Sequence, residues 1–171
     1  MPKQNLKRKY LPEFVYGGID GAVTTFAVVS GALGASLSSA IILILGFANL
    51  FADGFSMAIS NYLSTKSQKE INRNDAGKNP KKTGLATFIA FLLIGLIPLI
   101  SFLIAIFVPM HETTKFTISA VLTAFALFIV GNIKGKIVKK HPIKAGIETL
   151  FIGGIAAILA FVVGYLLRGL A

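Results

Sequence analysis

Asn49, Asp53, Met57 and Asn61 recur at four-residue spacing inside the apolar run from Ala40 to Ser64, a spacing that stacks side chains on one face of a helix. Ser56, Ser60 and Ser64 fall on the neighbouring stripe. The preceding apolar run holds a second carboxylate, Asp20, four residues before Thr24. A carboxylate near the centre of a bilayer costs on the order of 2.5–3.5 kcal/mol unless it faces a partner or water. Two of them on adjacent helices require a polar cavity or protonated acids, and alternation between those states is what ion coupling uses. Carboxylate and amide oxygens suit hard divalent ions, and the Met57 thioether adds a preference for softer metals such as ferrous iron. A competing account makes the acids structural, hydrogen-bonded to Asn49, Ser56 or Thr24, with Met57 as core filler. Glu148 either pairs with Lys144, four residues earlier, or stands at the entrance of a path.

The elements that must position these residues are membrane spans. Of the 171 residues 54% are apolar and only 14% charged, too little charge to cover a soluble domain of this length. The expected fold is all-α, a polytopic membrane protein with five spans at approximately 14–37, 40–64, 84–108, 116–133 and 145–167. They form one membrane domain, 14–168, behind a basic lead at 1–13, with polar loops at 65–83 and 134–144. The loop at 65–83 can continue the second helix by a turn or two before Gly77 to Pro80 ends it. Gly17 and Gly21, in series with Thr25, give the first span a small-residue face for close helix contact. Pro98 should kink the third. At 1.5 Å per residue, Asp20 and Met57 share a level, with Asp53 one turn deeper.

All Lys and Arg residues except Lys115 and Arg168 fall in the lead and the two loops. The positive-inside rule therefore places the N-terminus in the cytoplasm and the C-terminus outside. The formal charge of +10, carried in short blocks between apolar runs, points to anionic headgroups of the lipid bilayer as the partner, not to nucleic acid. The absence of cysteine removes disulfides and thiolate sites. No dense ligand motif such as HExxH occurs, His111 and His141 fall in loops, and the glycines of GGIDG lie within a span, where they suit packing. No residue is assigned a catalytic role.

The segments Tyr16 to Phe26, YGGIDGAVTTF, and Ala48 to Ser64, ANLFADGFSMAISNYLS, resemble the first two spans of the vacuolar iron transporter family, with weaker agreement at Gly131 to Lys136 and Glu148 to Gly164. The resemblance implies a symmetric homodimer in which spans 1 and 2 of both subunits enclose the route. It implies export of ferrous iron, or manganese, from the cytoplasm in exchange for protons, with no permanently bound cofactor and no enzymatic activity. By the same resemblance Asp20 and Met57 are metal ligands on a pathway with Asn49 and Asp53, with Thr24, Ser56 and Asn61 as secondary polar lining and Glu148 at an entrance. Asn49 stands where many members have a glutamate, and the 65–83 loop lacks the length and glutamates of the acidic domain inserted in iron-transporting members. Short length and the missing domain lead to the expectation of a prokaryotic plasma membrane. The alternatives are a proton-coupled exporter of another solute and a nontransporting membrane scaffold.

Overall fold

The computed structural model describes residues 9–71 and 77–170. Helix α1, Leu11–Gly34, opens with Pro12 and Glu13 in its first turn, where a missing N–H costs nothing and a carboxylate meets the positive end of the dipole. A tight turn, with Ser36 at φ 60°, leads into α2, Ser39–Ile71, of 33 residues. At 1.5 Å per residue α2 is about 50 Å long, so it outreaches a hydrocarbon core of about 30 Å.

Pro80, expected to help end the second helix, instead opens the third. Helix α3, Pro80–Gly95, is capped by Asn79, whose side chain accepts from the N–H groups of Lys81 and Lys82. A 3-10 turn at Ile97–Leu99, centred on Pro98, separates α3 from the short α4, Ile100–Ile104. The break is supported from outside: Ser119 Oγ donates to the Pro98 carbonyl at 2.6 Å, satisfying a backbone acceptor that water cannot reach. Helices α5, Glu112–Ile137, and α6, Pro142–Leu167, complete the bundle, followed by a 3-10 turn at Arg168–Leu170.

Five helical segments are long and apolar enough to cross a membrane, α3 and α4 together making the third. The fold is all-α. Every span is longer than expected at its basic end, because threonine, lysine and proline continue or start a helix there without apolar character. The expected lead at 1–13 and loop at 65–83 lie partly outside the described residues; of these segments, Leu11 onward, Thr65–Ile71 and Pro80–Thr83 are helical.

Helix α1 is central, packing mainly on α3 and α6, while α2 leans on α3 and α5 on α6. Lipid offers no hydrophobic drive between helices, so contact depends on close approach. Gly17 and Gly21 provide it on one side: a Cβ added to either would lie 2.5 Å from the carbonyl oxygen of Thr87 or Phe91. On the other side Gly164 of α6 meets the Gly31 carbonyl with no room for a side chain. Phe91, Phe102, Ile42, Leu50 and Leu99 fill the core. The outer faces of α2 and α6 expose Phe51, Phe55, Ile147, Phe151, Ile158 and Leu166, apolar surface of an extent that needs bilayer or protein cover.

Candidate functional site

Helices α1 and α2 are fixed against each other at two depths. Near mid-span the Asn49 side-chain amide donates to the hydroxyls of Thr24 and Thr25, each at 3.4 Å. At the end where the lysines cluster, Glu13 shares a polar pocket with Ser64 and Thr65. Between these points lie Asp20, Asp53 and Met57, all half-buried. Asp20 stands on α1 and Asp53 on α2, helices that pack against each other.

Neither carboxylate has a side-chain hydrogen-bond or ion-pair partner among the described residues. The donors that a structural pairing would use are committed elsewhere or turned away. Asn49 gives its amide hydrogens to the threonines, Thr24 donates to the main-chain carbonyl of Asp20 at 2.8 Å, and Ser56 is exposed. Met57 packs against the apolar core. Asn61 binds Thr87 of α3 through its Nδ2 at 2.6 Å, nearer the basic end.

Asp20 opens on a cavity of about 380 Å³ between α1, the end of α5 and α6, with Tyr16, Ile19, Val23, Lys134 and Ile152 among its walls. Away from the basic end α1 and α6 meet tightly at Gly31 and Gly164, whereas at the cavity residues of the α5 terminus, Lys134 and Ile137, form part of the wall. Glu148 is exposed and one helical turn from Ile152, toward the basic end. No ion pair joins Glu148 to Lys144 among the described residues. Tyr16, Lys134 and Glu13 were not singled out by sequence as site residues. Tyr16 and Asp20 share a face at four-residue spacing, which is a legible signal, whereas Lys134 and Glu13 arrive through contacts distant in sequence.

Five helical segments long and apolar enough to cross a membrane define a polytopic α-helical membrane protein, and the first two carry acids without side-chain partners among the described residues. The family model described as the VIT family matches residues 11–78 and 71–165. The chain belongs to that family. Among its relatives, the vacuolar iron transporter of Toxoplasma gondii is 28% identical, over 96% of this chain and 76% of that protein. The Plasmodium berghei vacuolar iron transporter is 25% identical over 96% and 84%, and vacuolar iron transporter 1 of Arabidopsis thaliana 27% over 87% and 82%. The chain is thus a transporter-family protein and not an enzyme. These relatives overturn the expected prokaryotic plasma membrane: they are eukaryotic proteins named for the vacuole. Short length and a basic loop describe how a chain sits in a bilayer and carry no address for which bilayer.

Proposed function

We propose that the protein exports divalent transition-metal ions, ferrous iron and also manganese, from the cytoplasm in exchange for protons. The observation that carries this reading is the pair Asp20 and Asp53 on neighbouring helices, neither with a side-chain partner among the described residues and with Asp20 open to a cavity. Two like charges within the spans are stable only with a cation between them or a proton on one of them. That exclusivity is the chemical basis of antiport. The relatives named as iron transporters support iron as the cargo.

The deprotonated acids bind the ion, with Met57 and the Asn49 carbonyl as neutral donors and Thr24, Ser56 and Asn61 lining the route; protons from the far side weaken the carboxylates and release it. Among the described residues no three His, Cys, Asp or Glu side chains converge, which suits a cargo that must leave better than a resident ion. Glu148 stands at the rim where ions enter. The N-terminus lies in the cytoplasm and the C-terminus outside, because lysine and arginine concentrate at one end of the bundle. A second copy, packed through α1 and α2, completes the route and covers part of the exposed apolar surface.

The chain acts as a short member without an inserted acidic domain. In support, the comparison with the Toxoplasma protein extends over 230 aligned positions although this chain has 171 residues, and the family match divides near the α2–α3 connection. Flux assays in proteoliposomes with an ion panel test the whole reading. Ferrous and manganous ions should enter vesicles whose lumen is more acidic than the bath as protons leave in exchange, and Asp20→Asn should abolish entry while leaving the assembly's size unchanged. Undiminished ferrous flux in Asp20→Asn would remove that residue as an essential ligand. No flux for any ion would leave a scaffold, and flux that neither metal carries nor inhibits would indicate another solute.

A further inference from the structure

A second cavity, about 430 Å³ and, unlike the mainly apolar one at Asp20, walled chiefly by polar groups, lies at the basic end. Its walls include Glu13 of α1, Asn61, Ser64, Thr65 and Gln68 of α2, and Lys78 of the connection to α3. The Glu13 side chain is 11% exposed and its Oε1 accepts from Lys78 Nζ at 2.6 Å. Its Oε2 is fully buried and has no partner among the described residues. A buried, half-satisfied carboxylate is costly, so the pocket retains unused capacity for a cation. The neutral donors around it are oxygens. Asn61 spends its amide nitrogen on Thr87, which leaves its carbonyl oxygen, and Ser64 contributes a hydroxyl.

The segment carrying Lys78 is pinned across α1 by its neighbours. Gly77 accepts from Lys9 Nζ at 3.4 Å, and the Asn79 N–H donates to Tyr10 Oη at 3.0 Å. Three consecutive residues, 77 to 79, thus bind three positions at the entry of α1, and the middle one inserts a positive charge. A carboxylate with amide and hydroxyl oxygens is a donor set for a hard divalent cation. We propose that this pocket is a cation-binding site which the protein fills with the Lys78 ammonium, so that a divalent ion binds only by displacing its own lysine. The site is independent of the transport reading, since it is defined by binding alone. Lys69 at the rim adds a further positive charge that an incoming ion must pass.

A built-in competitor lowers apparent affinity by the fraction of time that the site is vacant. If Lys78 leaves for about a tenth of the time, removing it tightens binding about tenfold. Manganous ion, titrated into the purified full-length protein in detergent and followed by the resonance signal of the free ion, measures this directly. Lys78→Gln should tighten one class of site by about tenfold relative to the unsubstituted protein. The double variant Glu13→Gln with Lys78→Gln should lose that gain, whereas Asp20→Asn with Lys78→Gln should keep it. Identical isotherms for Lys78→Gln and the unsubstituted protein, or a gain that survives Glu13→Gln, would overturn the proposal. Should Lys78→Gln not yield folded protein, Lys78→Arg keeps the charge with a larger head; unchanged or weakened binding supports the plug, and tenfold tightening refutes it. Loss of transport in an otherwise folded protein would leave this binding result intact, so the two readings fail separately.

Discussion

At the scale of single residues, the decisive contrast is between side chains whose hydrogen-bonding capacity is spent and those whose capacity is free. The amide donors of Asn49 and Asn61 and the hydroxyl donor of Thr24 are spent on other groups, and Asp20 and Asp53 are left without one. Met57 stands between the two sets. Met57→Leu conserves volume and the core contact but removes sulfur, so stability should change by less than about 1.5 kcal/mol. Ferrous flux should fall relative to manganous flux by about fivefold, the effect of a weak ligand worth about 1 kcal/mol; a parallel fall in both would assign Met57 to packing. The shared face of these residues is readable from sequence because a four-residue period inside an apolar run stacks side chains on one side of a helix. The spent donors are not, since Thr24 and Asn49 are 25 positions apart and their meeting depends on helix crossing. For the same reason Glu13 read only as a helix opener, and its contact with Lys78 across 65 positions was invisible.

At the scale of elements, composition marked the middle of each span and erred at the ends. Thr83, Thr113 and Lys136 carry no apolar signal yet lie within helices, because backbone hydrogen bonding continues past the hydrocarbon. Pro80 illustrates the ambiguity: proline is compatible with the first turn of one helix and with the end of another, and the Asn79 cap decides. Asn79→Ala should cost about 1 kcal/mol, seen as a lower thermal midpoint in detergent. Ser119→Ala leaves the Pro98 carbonyl unpaired in a dry interior and should destabilise by about 1–3 kcal/mol by the same measure. Gly21→Leu must push α1 from the Phe91 carbonyl and should reduce the yield of folded protein, a cost of about 1–3 kcal/mol or more. If it were tolerated without a shift in midpoint, the α1–α3 contact would not be the tight seam described above.

At the scale of the whole molecule, orientation is the property with the cleanest test. The chain contains no cysteine, so single reporters need no background removal. Ser67→Cys at the exposed end of α2 and Gly169→Cys, around which there is open space, should react with an impermeant maleimide from opposite faces of sealed vesicles; labelling of both from one face would reject five crossings. The excess length of α2 has its own consequence. With its apolar part centred in a bilayer, its last two turns, with the exposed Lys66 and Lys69, reach toward the layer of lipid phosphates, where anionic lipids both concentrate divalent cations and attract ammonium groups. Under the proposed function, ion supply to the bundle and the resting position of its lysines then depend on the host membrane as well as on the polypeptide. The same preparation should therefore change its turnover when the proportion of acidic phospholipid around it is changed.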